Sequence, residues 1–422
     1  MVRLDLSPSY ETPHRMGKLS HRNITTLPPE LLDHILEFLE PTTLYPYLTI
    51  CHTLRPHFIR FLYRYPTVSS PSGMWAFARG LSANASSVRS LRLKGNARYS
   101  STAPTTWILA VPLTLGPFIP SLPALALENV DGTPLTPSFL RDLSGAWPDL
   151  ARLSVRNTRF LDGADACALV HAFPRLVGLE LAHVRWPHAP PALGRWVGGA
   201  HPPPPPEQRE PARGLATRVL PLRRLAVEGL MDEEFADVLR WADRFGSVRE
   251  ARFWRLSWTQ AGVAAEFLKR LAARGQSLDC LELCPDASDP IVYYRIKALY
   301  PALAAQRRLR RLELQMSVDE KIMRWVPLVL ESARRLPLTH VALEFTFDLW
   351  SAKQLSEPWR EVAQWVNTSW TETLRQVTLT HHPVGNLVGL EDERVVRTLE
   401  VWFDSVRRDG KLDIQIGERY AD

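Results

Sequence analysis

The stretch Leu278-Asp-Cys-Leu281-Glu-Leu283 carries the pattern that decides the fold: one apolar residue, two residues of any type, and then apolar-x-apolar. The apolar-x-apolar part has the alternation of a short β-strand with one buried face. The pattern occurs ten times along the chain, and each occurrence predicts one strand. The units begin at Val88, Leu122, Leu150, Leu176, Leu222, Val248, Leu278, Leu309, Leu338 and Leu374.

The segments between these units have the apolar spacing of amphipathic helices, as Phe235, Val238 and Leu239 illustrate. Helices are predicted over residues 231–245, 260–274, 321–336 and 357–374. A single strand and helix cannot bury their apolar faces alone, so neighbouring units must stack. The predicted fold is therefore α/β, an irregular solenoid with one strand and one helix per repeat.

Residues 88 to about 416 resemble the leucine-rich repeat family, and we assign residues 88–422 to the repeat domain. A doubly wound α/β domain is the alternative. It is disfavoured because ten units exceed one such sheet and no Gly-rich phosphate loop follows any strand. The family's asparagine-ladder position varies here, which indicates irregular repeats. It holds Asn96, Val130, Thr158, Val184 and Leu230 in different units.

The longest interval between units, from Leu176 to Leu222, contains five consecutive prolines at 202–206. Such a run adopts polyproline II and cannot lie inside a helix or an inner strand. We interpret residues 187–221 as an insertion, either a solvated loop or a docking site for a proline-recognising module. Residues 100–120 are interpreted as a smaller insertion. A helix over 395–406 and a strand over 412–416 are predicted to close the array.

A second informative stretch runs from Leu27 to Leu39. Pro28 and Pro29 suit the first turn of a helix, where their missing N–H groups cost nothing. The apolar positions that follow form a face wider than a surface helix needs. We expect Leu32, Ile35 and Leu39 to face inward. The outer apolar surface is then extended by Leu31, Leu36 and Phe38.

Residues 24–65 resemble an F-box, through Leu27-Pro28-x-Glu30-Leu31-Leu32-x-x-Ile35-Leu36-x-x-Leu39 followed by Leu44, Leu48, Cys51-His52 and Leu54-Arg55. The resemblance implies three short helices that dock to the Skp-type linker of a cullin-RING ubiquitin ligase. The alternative is a helical cap on the repeats. Residues 1–23 are assigned to a disordered tail and 66–87 to a linker helix. The linker-binding residues implied are Leu27, Pro28, Leu31, Leu32, Ile35, Leu36, Phe38, Leu39 and Leu44.

Composition restricts the remaining function classes. The net charge of +6 comes from 51 basic and 45 acidic residues spread along the whole chain, which argues against nucleic-acid binding. Four scattered cysteines indicate a reducing compartment, the cytoplasm or nucleus, and their spacing does not fit a zinc site. The sequence has no apolar run long enough to predict a membrane span. No catalytic motif is recognisable, so we expect no enzyme activity, cofactor or metal.

The x positions beside the buried strand residues are expected to face the concave side of the array, where repeat proteins usually bind partners. Arg252 and Trp254 are the expected centre, because Arg and Trp dominate binding hot spots. The alternative is a merely solvated strand face. The predicted function is a substrate receptor in a ligase, with a non-ligase repeat scaffold as the alternative. The candidate target-binding residues are Arg156, Glu180, Glu228, Arg252, Trp254, Glu282 and Glu313.

Overall fold

The computed structural model divides the chain into two compact units, Met1–Tyr65 and Pro66–Asp422. The tail 1–23, residues 187–219 of the proline-rich insertion, Asn96, Phe38, Leu39 and Leu44 lie outside the described residues. The structure describes residues 27–37, 52, 54–81, 84–95, 105–130, 136–160, 162–186, 220–245, 247–286, 296–316, 325–347, 356–369, 373–383 and 390–416.

The described part of the first unit contains two helices, α1 (Pro29–Glu37) and α2 (Arg55–Leu62). The predicted inward row is wrong at Ile35, which is 40% exposed. Leu36, predicted to extend the outer surface, is instead 1% exposed. It lies one turn from Leu32, so both side chains point to the same neighbour. The core consists of Leu32, Leu36, Leu54, Phe58 and Phe61, with Leu62 packed against it.

In the described residues of the second unit, twelve strands form one parallel sheet whose order follows the chain. The ten unit strands and the closing strand are confirmed. The strands are β1 (Thr67–Val68), β2 (Leu91–Lys94), β3 (Ala124–Glu128), β4 (Arg152–Arg156), β5 (Gly178–Ala182), β6 (Arg224–Glu228), β7 (Glu250–Leu256), β8 (Cys280–Pro285), β9 (Arg311–Met316), β10 (His340–Phe347), β11 (Gln376–Pro383) and β12 (Leu412–Ile416).

The helices connect these parallel strands, which cannot be joined by tight turns. Counterparts of the predicted helices 231–245, 260–274, 321–336 and 357–374 are present, and the predicted helix 395–406 is divided in two. The helices are α3 (Pro71–Gly80), α4 (Val111–Leu115), α5 (Pro137–Ala146), α6 (Gly163–His171), α7 (Asp232–Phe245), α8 (Trp258–Ala273), α9 (Leu299–Ala304), α10 (Trp325–Ser332), α11 (Ser356–Ser369), α12 (Leu390–Trp402) and α13 (Asp404–Arg408).

Two boundaries differ from the prediction. The sheet begins before Val88, because β1 pairs in parallel with β2 and α3 follows it. The segment 66–87 is therefore part of the array. The interpretation of residues 100–120 as an insertion is also wrong. A 3₁₀ helix (Thr105–Ala110) and α4 fill the helical place of that repeat, with Ile108 and Leu115 buried.

The core lies between the sheet and the helices because the apolar strand residues are in register. Leu281 pairs with Ala251 on one side and Leu312 on the other, and all three are fully buried. Phe253 contacts Phe267 of α8 edge to face, with ring centroids 6.4 Å apart. Stacking of this kind joins each strand to its own helix and to the neighbouring repeats.

Buried polar side chains take the place of a regular asparagine ladder. Thr158, at the ladder position of its unit, accepts a hydrogen bond from the backbone N–H of Val130 at 3.4 Å. Gln306 is fully buried and donates to the carbonyl of Leu268 at 2.8 Å, while it accepts from the N–H of Leu278 at 3.1 Å. These bonds join neighbouring repeats and satisfy backbone groups that would otherwise be buried without partners.

No helix within the described ranges is long and apolar enough to cross a membrane.

Candidate binding surface

The strand register places the predicted target-binding residues on one face of the sheet, opposite the apolar core. We call this the open face. Glu180, Ala226, Arg252, Glu282 and Glu313 form one row across β5 to β9. The next row contains Arg156, Ala182, Glu228, Trp254 and Cys284. Neighbouring residues in a row are about 4.8 Å apart, so side chains of adjacent strands interact directly.

Glu282 organises the centre of the open face. Its carboxylate lies 3.1 Å from Nε of Arg252 and accepts a hydrogen bond from the indole N–H of Trp254. Burial raises the pKa of Glu282, and the hydrogen bond from Trp254 opposes that rise. Glu282 is only 6% exposed, so it offers a partner little surface of its own. It holds Arg252 and Trp254, which remain partly exposed, in fixed positions.

The neighbouring candidates are also paired. Glu228 lies 3.5 Å from Nε2 of His183, and Glu313 pairs with Arg311 and accepts from the thiol of Cys280 at 3.9 Å. Burial raises the pKa of Cys280 to about 12. This thiol therefore stays protonated and is a poor nucleophile, as expected of a packed strand cysteine.

The other two candidates, Arg156 and Glu180, form an ion pair between β4 and β5 and both remain partly exposed. The sequence prediction missed a similar pairing closer to the N-terminus, where Lys94 lies 3.3 Å from Glu128. These residues follow the last apolar residue of their units, so the unit pattern could have identified them. The open face thus carries many interstrand charge pairs.

A groove of about 410 Å³ lies over β8 to β12. Within it, Glu344 accepts a hydrogen bond from the Gln315 side chain at 3.0 Å and lies 2.8 Å from Nε2 of His382. In each unit, the residue before the apolar-x-apolar triplet also faces outward. These residues, such as Arg311, His340 and Gln376, could have revealed the groove from the sequence. The groove is lined on its open-face side by Glu282, Arg311, Glu313, Gln315, His340, Ala342, Glu344, Gln376, Thr378, Thr380 and Gln415.

In the first unit, Leu31 and Ile35 lie outside the core cluster and are 52% and 40% exposed. Pro28 is exposed and Leu27 is partly buried just before them. Leu32 and Leu36, also predicted to contact the linker, are core residues, since their side chains pack onto α2 instead. Among the described residues of the predicted linker-binding face, Leu31 and Ile35 on α1 therefore remain at the surface. Leu27 and Pro28, just before the helix, are also at least partly exposed.

Among the residues that the structure describes, no group of three His, Cys, Asp or Glu side chains is placed to hold a metal ion. The fold and the open face define a class: parallel strand-plus-helix repeat arrays with an open, polar sheet face.

No protein-family model matches the sequence, and no curated protein matches it. Among solved structures, the chain is similar to a chain of the yeast Rad7 and Elc1 complex, with 13% identity and a TM-score of 0.31. That match covers 75% of this chain and 86% of the other. It is similar to a chain of the TLR13–ssRNA13 complex with 13% identity, a TM-score of 0.32, and coverage of 88% and 52%. At these TM-scores neither similarity bears on function.

Proposed function

We propose that this chain is the substrate-recognition subunit of an SCF-type, cullin-RING ubiquitin ligase in the cytoplasm or nucleus. The N-terminal module docks to the Skp-type linker, which connects it to the cullin, and the open face binds a protein target. The chain supplies no chemistry of its own. It raises the effective concentration of the target near the ubiquitin-loaded enzyme.

The observation that carries the proposal is the pair Leu31 and Ile35. They are four residues apart on α1, so they form one apolar row, and they are about half exposed although Leu32 and Leu36 already supply the core. Exposed apolar rows of this kind mark protein-interaction sites. Burying each side chain fully against a partner is worth about 1.5–3 kcal/mol.

The open face supports the second half of the proposal. Arg252 and Trp254 are held by one buried carboxylate before any partner arrives. Side chains that are already ordered lose less conformational entropy on binding. Both residue types are common at hot spots, and the flanking charge pairs provide a polar rim.

The test is binding between the purified full-length chain and a purified Skp-type linker. The variant Leu31→Asp/Ile35→Asp removes the apolar row but leaves the core cluster intact. We expect a loss of about 3 kcal/mol or more, which exceeds a 100-fold drop in affinity. Val401→Asp is the matched control, because Val401 on α12 is an exposed aliphatic residue outside the module.

The wild-type chain and the Val401→Asp control should bind equally. If the wild type does not bind the linker, the receptor proposal fails and a non-ligase repeat scaffold replaces it. If the double variant binds as tightly as the control, docking does not use the face named here.

A further inference from the structure

The residues immediately before strands β6 to β11 form a ladder along one edge of the sheet. The N–H of Arg249 donates to the carbonyl of Arg223 at 2.8 Å, and each later member donates to the member before it. In chain order the ladder is Arg223, Arg249, Asp279, Arg310, Thr339 and Arg375. The same position before β3, β4 and β5 holds no charged residue, so the charge of the ladder belongs to the second half of the array.

The four arginines of the ladder, which we call the basic edge, form no ion pair with any residue that the structure describes. Arg223, Arg310 and Arg375 are exposed. Arg249 is half-buried, and its Nη1 donates to the backbone carbonyl of Ser277 at 3.3 Å. Four positive charges therefore lie along one edge of the sheet without a carboxylate partner from the described chain.

The carboxylates beside the basic edge are paired with other arginines. Asp279, the acidic member of the ladder, lies 3.8 Å from Nε of Arg308. Glu250, the first residue of β7, lies 2.8 Å from Nε of Arg224. Each of these pairs is neutral as a whole, so the net charge along this edge of the sheet stays positive.

Helix dipoles do not explain the position of these arginines. The carboxyl end of each helix leads into the next strand, and such ends attract cations, but the effect falls off within the last turn. Arg310 and Arg375 lie six residues beyond the ends of α9 at Ala304 and α11 at Ser369. Their charges are therefore available to a partner.

The length of the basic edge sets the size of that partner. Five steps between neighbouring strands separate Arg223 from Arg375, which is about 24 Å. An extended peptide covers this distance with about seven residues. The guanidinium group of arginine binds a carboxylate through two parallel hydrogen bonds, so Asp and Glu side chains match the edge chemically.

A single-stranded nucleic acid matches the edge less well. Proteins that bind one combine a basic groove with aromatic side chains on which the bases stack. Within the described part of residues 220–416, no large exposed side chain is aromatic. The large apolar side chains exposed there are Met231, Leu328, Val401 and Ile416.

We propose that the basic edge binds an extended acidic segment of about seven residues, rich in Asp and Glu, in the protein target. The proposal rests on the proposed receptor function and deepens it, because it names the chemistry of the protein that is bound. The edge adjoins the open face, since each member of the ladder directly precedes a strand. One target can therefore contact both.

The test is fluorescence polarisation of labelled octaglutamate with the full-length chain. We expect binding at about 50 mM salt and a loss of about ten-fold or more at about 0.5 M salt, because salt screens exposed charges. Octaglutamine should bind about ten-fold more weakly or worse at low salt, and equal binding of the two peptides overturns the proposal. Tighter binding of octathymidylate than of octaglutamate would assign the edge to nucleic acid and also overturn it.

Two double variants test the location. Arg310→Gln/Arg375→Gln and Arg223→Gln/Arg249→Gln each remove half of the basic edge, and each should weaken octaglutamate binding about five-fold or more. If one of them does not fold, the other still decides.

The matched control is Arg79→Gln/Arg141→Gln, which removes the same charge from exposed positions on α3 and α5 and should bind as the wild type does. An equal loss in the control would show that the peptide senses only the net charge of the chain, and unchanged affinity in the folded edge variants would show that it binds elsewhere. Either result overturns the assignment. The assay contains no Skp-type linker, so failure of this proposal and failure of linker docking are separate results.

Discussion

The side chain of Gln306 hydrogen-bonds to neighbouring repeats, and we predict that it contributes strongly to the stability of the array. The substitution Gln306→Met tests this prediction. The side chain is fully buried, and Met fills a similar volume without hydrogen bonds. The variant leaves the N–H of Leu278 without its partner at 3.1 Å, which costs about 1–3 kcal/mol. It also removes the 2.8 Å bond to the Leu268 carbonyl, worth about 0.5–1.5 kcal/mol.

The expected total for Gln306→Met is a loss of about 1.5–4.5 kcal/mol in the free energy of unfolding. Urea unfolding, followed by far-UV circular dichroism, should show a lower midpoint with an unchanged slope. Gln364→Met is the control, because Gln364 is exposed on α11. A change of less than about 0.5 kcal/mol, no larger than an ordinary surface substitution, would refute the reasoning.

Two further predictions concern the open face and the backbone turn at Gly229. Because burial raises the pKa of Glu282, its charged form costs stability at pH 7, and this cost is lost as pH falls through the raised pKa. Glu282→Gln should therefore raise the melting temperature at pH 7 and make little difference near pH 4; a larger gain at pH 4 contradicts this. Gly229→Ala should destabilise by about 1–3 kcal/mol, because Ala must adopt a positive φ and displace His183. Its control, Gly262→Ala in α8, meets open space and should gain up to about 1 kcal/mol, so similar melting temperatures for the two variants would refute the steric argument.

The repeated strands could be predicted because the pattern places two apolar residues at a period of two in every unit. Leu281 and Leu283 are buried for this reason, as are their counterparts in neighbouring strands. The first strand was not predicted because Thr67 and Val68 form a two-residue strand, too short for any periodicity. Its place in the sheet depends on pairing with β2, a contact distant in sequence.

The α1 helix shows a different limit of sequence reasoning. The six apolar residues between Leu31 and Leu39 allow more than one inward row. Contacts with Leu54, Phe58 and Phe61 select the row of Leu32 and Leu36. Those contacts come from a second helix whose angle to α1 is absent from the sequence pattern.

Within the candidate site, the outward direction of Arg252 and Trp254 could be predicted from strand alternation alone. The burial of Glu282 could not, because it depends on side chains of neighbouring strands, and Arg252 and Trp254 contact its carboxylate. A cavity of about 740 Å³ beside the start of α7, which Arg185 and Glu234 help to line, was likewise unpredictable. Arg185 and Glu234 are 49 positions apart in the chain, and only the stacking of repeats makes them line one site.

Hydrogen–deuterium exchange of the full-length chain, with and without a purified Skp-type linker, tests the proposed docking most directly. We predict that added protection is confined to the N-terminal module, with its maximum in the peptide that contains α1, Pro29–Glu37. The Leu31→Asp/Ile35→Asp variant should show no added protection there. Protection that is absent from α1 in the wild type, or that falls on the strands of the open face instead, would contradict the account.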